Sequence, residues 1–246
     1  MDASFIIPAL NEEAYIVPCL EAIRNQVTDL QYEVIVVDNG STDRTADLAR
    51  AHEARVVPCP NRGIAKARNR GATESTGGVL VFVDADTLLP PDYLQTSWSY
   101  LKENPKVLGL MGRLELSGDD DYTKIINLLD DSIFRAMKAF KHPRLLGSNT
   151  VVRRESFFAV GGYPCVPSED IALSRKLRKL GHLAYLPDLK VLTSARRLNK
   201  DQLNIVLYYA VRDLVTALKG RPNKPGGFQA RLLKKLETLS SYKELR

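Results

Sequence analysis

The chain has 246 residues, of which 44% are apolar and 26% are charged. This composition is ordinary for a globular protein and excludes a mainly disordered chain, a collagen and a disulfide-stapled miniprotein. No run of about 18 uncharged apolar residues occurs, so the sequence predicts no transmembrane helix. The amino terminus reaches a strand-like run at once, which argues against a signal peptide. Three widely spaced cysteines (Cys19, Cys59 and Cys165) predict a cytoplasmic protein without a zinc site.

The net charge of +6 belongs to one end of the chain. Residues 219–246 carry eight basic and two acidic side chains, whereas the other residues carry equal numbers of each. Because the body is balanced, it does not resemble a nucleic-acid-binding surface, and we predict no nucleic-acid partner.

Strand-like and helical runs alternate through the first hundred residues. Predicted strands cover Ser4–Pro8, Tyr32–Asp38, Ala54–Cys59 and Val79–Asp84. Predicted helices cover Ala14–Val27, a segment capped by Ser41, Thr42 and Asp43 that ends at Arg50, and Gly63–Glu74. This alternation predicts an α/β fold with a mostly parallel sheet, right-handed crossovers and flanking helices.

The second half of the sequence is less regular. Its predicted helices are Tyr93–Glu103, Tyr122–Phe140, Glu169–Leu180 and Asp201–Leu218, and its predicted strands are Val107–Leu116, Thr150–Arg153, Leu183–Leu186 and Lys190–Thr193. We expect a main domain over residues 1–198 and a C-terminal part with helices and a basic tail over 199–246. A Gly- and Pro-rich stretch at Lys219–Gly227 marks a break within that part.

Acidic residues follow three of the predicted strands, in the segments 8–13, 38–43 and 84–86. The carboxyl ends of parallel strands share one edge of a sheet, and carboxylates gathered there repel each other unless a cation joins them. Oxygen ligands without histidine or cysteine favour Mg²⁺ or Mn²⁺, ions that bridge substrate phosphates. The alternative is that these acids cap the next helix. It is at least as good for Ser41–Asp43 and weaker for Asp84–Asp86, because Thr87 and Pro90 already supply a turn there.

Five motifs occur in order between residues 3 and 197: PALNEE, VVDNGSTDRT, NRGIAKARNRG, VFVDADT and PSEDIALSRKLRKLG. Together they resemble the family 2 glycosyltransferases of the GT-A fold. The resemblance implies transfer of a sugar from a nucleotide diphosphate sugar to an acceptor oxygen with inversion. It also implies a Mg²⁺ or Mn²⁺ ion that stabilises the departing nucleotide diphosphate.

The resemblance further implies roles for individual residues. Nucleotide binding would fall to Pro8, Ala9, Asn11, Glu12, Asp38, Ser41, Gly63, Lys66 and Arg68. Asp84 would contact the ribose or the metal, with Ala85 beside it, and Asp86 would be the main metal ligand. The segment Gly147, Ser148 and Asn149 would shape the sugar and acceptor site. Asp170, preceded by Glu169, would be the general base; judged by residue chemistry alone, an ordinary acidic helix start remains open.

One departure from the family pattern bears on the product. Processive members carry a Gln-x-x-Arg-Trp motif, whereas this chain reads TSARRL at residues 193–198 and has its single tryptophan at Trp98. The resemblance therefore implies a single transfer per acceptor. Arg196 and Arg197 would reach the diphosphate, since guanidinium groups pair well with phosphate oxygens. A solvated loop position for one of the two stays open.

The segment 229–239 (QARLLKKLETL) places four leucines on one face of a predicted helix that also carries basic residues. A basic amphipathic helix suits an anionic membrane surface, which predicts peripheral attachment at the inner face of the membrane. Packing of the leucines against the body is equally open, and docking of a partner by a flexible end ranks behind these two alternatives. The tail favours a polyprenyl phosphate acceptor over a simple hydroxyl acceptor.

Two other functions are alternatives for a chain of this kind. A sugar-phosphate nucleotidyltransferase would carry a Gly-rich loop with a basic residue after the first strand, where this chain reads PALNEE. A non-catalytic scaffold that works through its tail would not need Asp84, Asp86 and Asp170, which are all present.

Overall fold

The structure is a computed structural model that describes residues 1–118, 120–139, 143–166 and 168–197. The predicted helices at 201–218 and 229–239, the break at 219–227 and the expected C-terminal part lie outside the described residues.

Eight strands and seven helices make up the described chain, and a short 3₁₀ turn, Ala195–Arg197, follows the last strand. The strands are β1 (Ala3–Ala9), β2 (Tyr32–Asp38), β3 (Arg55–Pro58), β4 (Val79–Val83), β5 (Thr87–Leu88), β6 (Val107–Ser117), β7 (Asn149–Arg153) and β8 (His182–Ser194). The helices are α1 (Ile16–Arg24), α2 (Thr45–Ala51), α3 (Ile64–Glu74), α4 (Tyr93–Glu103), α5 (Asp121–Ala139), α6 (Arg154–Ala159) and α7 (Glu169–Leu177).

All eight strands belong to one sheet in the order β3-β2-β1-β4-β7-β6-β8-β5. Strands β3, β2, β1 and β4 are mutually parallel, as predicted. The other half is mixed, because β7 runs antiparallel to both β4 and β6, and β5 runs antiparallel to β8. The α/β fold expected from the sequence is confirmed, with parallel pairing concentrated in its first half.

Alternate side chains of the central strands pack into two apolar layers, one on each face of the sheet. On β1, Phe5 and Ile7 pack in the layer that contains Ile16 and Ile23 of α1. Ile6 packs in the opposite layer with residues from α3, α5 and α7. Strand β4 is buried at all five positions, which explains its continuous apolar sequence VLVFV. The two layers fix the strand register and hence the loops at the strand ends.

Four elements differ from the prediction. The two short strands predicted near 183–186 and 190–193 form one strand, β8, which pairs with β6 on both sides of an irregularity. The register shifts between Gly112 and Arg113 of β6, so that the pairing skips residues 187–189 of β8. The short strand β5 and helix α6 were not predicted. Helix α2 begins at Thr45, after the predicted caps. Within the part of the chain that the structure describes, no helix combines the length and hydrophobicity needed to cross a bilayer.

Candidate functional site

The loops after β1 and β2 are joined by hydrogen bonds at the carboxyl edge of the sheet. The amide of Asn11 donates to Ser41 Oγ (3.1 Å), and Asn11 Oδ1 accepts from the amide of Thr42 (2.8 Å). The amide of Glu12 donates to Thr45 Oγ1 at 2.7 Å. Asn11 adopts a left-handed conformation with φ of 55°, which an asparagine tolerates better than most residues. The two loops therefore form one unit.

Asn39 ties the loop after β3 to this unit, and sequence reasoning did not single it out. Its buried amide donates to the carbonyls of Cys59 (2.7 Å) and Asn61 (3.2 Å), and its Oδ1 accepts from the amide of Gly63 at 2.8 Å. Gly63 has a φ of 136°, a conformation that favours glycine. The available signal was an asparagine at a strand end directly after Asp38, whose Oδ1 accepts from the amide of Ser41 (3.0 Å).

A buried arginine connects the end of β4 to the start of α7. Arg68 Nη2 donates to Asp84 Oδ1 at 2.8 Å, and Nη1 donates to Glu169 Oε1 at 2.7 Å. The Arg68 side chain is only 2% exposed, and its guanidinium carbon lies 5.3 Å from the centre of the Tyr163 ring. A Cβ at Gly147 would lie 2.4 Å from the guanidinium nitrogens, so a side chain there would have to displace the guanidinium from its two carboxylates. Arg68 thus lies beneath the surface, between two acids of the candidate site.

The two partners of Arg68 differ in environment. Burial lowers the pKa of the Arg68 guanidinium, but Asp84, Tyr163 and Glu169 raise it well above its usual range, so the group stays charged. Burial raises the pKa of Glu169, and the Arg68 charge opposes that change. Asp170 is half-buried, and its Oδ1 accepts from the amide of Ile171 at 2.7 Å. Of the two acids at the start of α7, Asp170 is the one that reaches solvent.

A second arginine holds the other acids of the edge together. Arg196 Nε and Nη2 lie 3.1 and 3.0 Å from Asp86 Oδ2, and Nη2 also donates to Glu12 Oε2. The side chains of Glu12 and Asp86 are only 5% and 10% exposed. The Arg196 guanidinium carbon lies 3.8 Å from the centre of the Tyr15 ring. Asp84 and Asp86 are two residues apart, yet each is paired with a different arginine.

The remaining predicted site residues fall around these two arginine clusters. Pro8 and Ala9 end β1, Ala85 is buried between the two acids, Lys66 is exposed on α3, and Ser148 is half-buried before β7. Asn149 is fully buried, and its side-chain amide is hydrogen-bonded to Tyr93 and to the backbone of Gly112, so it belongs to the core at the start of β7. Arg197 ends the 3₁₀ turn.

The acids of the edge fit a divalent cation only in part. Among the described residues, no three His, Cys, Asp or Glu side chains converge closely enough to hold a metal ion by themselves. Mg²⁺ is usually held by one or two carboxylates together with substrate phosphates and water. Asp86 and Glu12 already meet around one cationic group, and their oxygens suit a hard cation. Asp84 Oδ1 and Asp86 Oδ2 are each paired with an arginine, and Asp86 fits the role of metal ligand better because Glu12 meets the same cationic group.

Comparison with known proteins gives relatives over most of the described chain. The succinoglycan biosynthesis protein ExoA of Rhizobium meliloti is 28% identical over 210 residues, which are 74% of this chain and 60% of that protein. The dolichol-phosphate mannosyltransferase of Pyrococcus furiosus is 34% identical over 99 residues, which are 38% of this chain and 28% of that protein. The chain thus spans less than two thirds of either relative.

A solved structure shares the fold. The mannosyltransferase from Pyrobaculum calidifontis, in complex with GDP-Man and Mn²⁺, aligns with a TM-score of 0.68 and 24% identity over 95% of this chain and 68% of its own. Residues 4–160 match the family described as "Glycosyl transferase family 2". This match covers more than half of the chain and confirms the resemblance found in the sequence. The chain therefore belongs to glycosyl transferase family 2.

Proposed function

We propose that this chain transfers a single sugar from a nucleotide diphosphate sugar to an acceptor oxygen, with inversion at the anomeric carbon and dependence on Mg²⁺ or Mn²⁺. The observation that carries the proposal is the meeting of Glu12 and Asp86 around one cationic group at the carboxyl edge of the sheet. Ligands of open α/β sheets bind at this edge. Membership of glycosyl transferase family 2 supports the same reaction class.

The donor would lie against the joined loops after β1, β2 and β3. Asp38 and Asn11 would offer polar side-chain groups to the base or ribose, and Gly63 leaves the backbone open to a close approach. A divalent cation held by Asp86 would neutralise the diphosphate as it leaves. The solved mannosyltransferase complex with GDP-Man and Mn²⁺ supports this donor class and this type of ion.

The acceptor would approach from the start of α7. Asp170 is the acid there that solvent reaches, and it lies in the first turn of α7. An ionised Asp170 accepts the proton of an acceptor hydroxyl as that oxygen attacks the anomeric carbon. The absence of a Gln-x-x-Arg-Trp motif at residues 193–198 supports one transfer per acceptor.

Two acceptors agree with these features, a hydroxyl group and a polyprenyl phosphate. The similarity to a dolichol-phosphate mannosyltransferase over 99 residues and the basic, leucine-bearing segment 229–239 both favour the polyprenyl phosphate. The same segment supports attachment to an anionic membrane surface. A phosphate acceptor is already anionic, so Asp170 would then orient it rather than remove a proton.

A panel of UDP-, GDP- and dTDP-sugars tests the proposal on the full chain with Mn²⁺, with Mg²⁺ and with EDTA. We expect one donor class to raise the unfolding midpoint only when metal is present. A ligand at a hundred times its dissociation constant adds ~2.7 kcal/mol to the free energy of unfolding. The same mixture with acceptor should release the nucleoside diphosphate.

Asp86→Asn should lose both the metal-dependent stabilisation and the release of nucleoside diphosphate. Asp47→Asn is the matched control, because Asp47 is an exposed acid on α2 that is paired only with Arg50 in its helix. If no donor stabilises the wild-type chain in the presence of metal, the transferase proposal fails and the non-catalytic scaffold takes its place.

A further inference from the structure

Arg196 lies where a metal-dependent site needs a cation. It belongs to the 3₁₀ turn directly after β8, and the amide of Ser194 donates to the carbonyl of Asp86 at 3.2 Å, which fixes the end of β8 beside that residue. The guanidinium places two nitrogens within 3.1 Å of a single oxygen, Asp86 Oδ2, and also contacts Glu12.

The Arg196 guanidinium supplies the positive charge that the two acids at the carboxyl edge of the sheet require. Glu12 and Asp86 are largely removed from solvent, and two such carboxylates side by side repel each other unless a positive group lies between them. The backbone of Glu12 is held in place, because its amide donates to Thr45 Oγ1 at 2.7 Å. The ring of Tyr15 supports the guanidinium from one face at 3.8 Å. The arginine is therefore seated by three different side chains.

We propose that Arg196 is a built-in competitor of the divalent cation, which holds Asp86 and Glu12 until a metal ion takes its place. This inference rests on the proposed function for the metal site at Asp86. A metal ion bound by Asp86 would bring a second positive charge next to the guanidinium on Oδ2, so each cation opposes the binding of the other. The metal alone must displace the arginine and consequently binds weakly.

The released guanidinium has a new partner only when a donor is present. A diphosphate offers oxygens that match the planar fork of an arginine. Arg196 thereby makes metal binding and nucleotide binding cooperative, since the diphosphate replaces the contacts that the guanidinium loses with Asp86 and Glu12. By linkage, the metal must raise the affinity for nucleotide by the same factor.

Mn²⁺ alone, titrated into the full chain and followed by electron paramagnetic resonance, tests the competition without any turnover. Arg196→Met keeps an unbranched apolar side chain to cover Tyr15 and removes the charge. We expect it to bind Mn²⁺ roughly ten-fold more tightly than the wild type. Arg44→Met, which removes the charge of an exposed arginine in the loop after β2, should bind Mn²⁺ as the wild type does.

Thermal unfolding gives a second readout on the same proteins. Without metal, Arg196→Met should unfold at a lower temperature than the wild type, because Glu12 and Asp86 lose their counterion. Saturating Mn²⁺ should close that gap. UDP or GDP should enhance Mn²⁺ binding to the wild type by a larger factor than Mn²⁺ binding to Arg196→Met.

If the wild type and Arg196→Met bind Mn²⁺ with equal affinity, the proposed competition between Arg196 and the metal ion is wrong. If Asp86→Asn fails to bind Mn²⁺ in the same series, the metal site at Asp86 is still supported. If the wild type and Asp86→Asn bind Mn²⁺ equally, or if no protein binds it even with UDP or GDP, the metal site at Asp86 fails together with the inference.

Discussion

At the amino end of the sheet, Glu33 Oε1 accepts hydrogen bonds from the hydroxyl of Ser4 (2.8 Å) and from the amide and hydroxyl of Thr76 (2.6 and 2.7 Å), while Arg55 approaches its other oxygen. At the carboxyl end, the acids of the β4 loop and α7 depend on arginines from distant parts of the chain. One end uses mainly neutral donors from adjoining strands and loops, and the other uses long charged side chains.

The difference separates a fixed carboxylate from an exchangeable one. Donors on the backbone and on short hydroxyl side chains keep their positions as long as the sheet is folded. A guanidinium on a flexible side chain can leave a carboxylate without unfolding the chain, provided that another cation arrives. Glu33 is therefore a structural acid, whereas the proposed function makes Asp86 available for a ligand. Arg68 is the intermediate case, since it is charged but fully enclosed.

Arg68→Met is the largest expected perturbation of the carboxyl end. It leaves Glu169 buried without its cation and removes the partner of Asp84, and breaking a buried ion pair in this way costs about 3–5 kcal/mol. Urea unfolding measures the loss at pH 7. Because burial raises the pKa of Glu169, the penalty should shrink as the pH falls through that raised value toward the ordinary value of about 4.3.

Arg50→Met is the matched control for this comparison. Arg50 pairs with Asp47 on the surface of α2, where both side chains are mostly exposed, and such a pair contributes about 0–1 kcal/mol. If Arg68→Met costs no more than Arg50→Met, the buried cluster does not hold the carboxyl end together.

Asp170→Asn sharpens the comparison at the same end by separating a reactive acid from a structural one. The substitution should lower transfer to a hydroxyl acceptor roughly 100-fold while leaving the unfolding midpoint and donor binding unchanged. Single-turnover transfer and a donor titration measure the two effects. Asp188→Asn, which alters an exposed acid in β8, serves as the control. A near-wild-type rate with a hydroxyl acceptor would assign Asp170 to the structural group.

Local sequence patterns were sufficient for the elements that carry the site. The run YEVIVVD forms β2 at the predicted residues Tyr32–Asp38, and α4 covers the predicted Tyr93–Glu103, because apolar periodicity depends only on near neighbours. The gathering of acids at one edge follows from parallel strand order. Strand β8 was predicted as two pieces, since Pro187 and Asp188 interrupt its apolar pattern, and only the register shift of β6 explains its continuity.

The pairing of the acids was beyond sequence reasoning. Arg68 was expected beside the nucleotide and Arg196 on the diphosphate, yet Arg68 joins Asp84 to Glu169 and Arg196 joins Asp86 to Glu12. Which carboxylate an arginine reaches depends on chain crossings between residues far apart in sequence. The same holds for Gly147, where the Arg68 guanidinium fills the space that a side chain would occupy.

Glu33→Gln should give the smallest effect and tests the amino end by pH. Burial alone would raise the pKa of Glu33, but hydrogen bonds from Thr76, Ser4 and Arg55 lower it to about 2. A depressed carboxyl pKa stabilises the fold above the unfolded value of about 4.3, and this contribution is lost as the pH falls toward 2.

The variant should therefore be less stable than the wild type by about 1–2 kcal/mol at pH 7, and the two urea midpoints should converge between pH 4.5 and 2. Glu53→Gln, at an exposed pair with Arg24, should run parallel to the wild type over the same range. Glu33→Gln should also keep full transfer activity, because Glu33 lies at the end of the sheet opposite the acids of the site. A loss of activity without a loss of stability would contradict the division of the sheet into a structural end and a ligand-binding end.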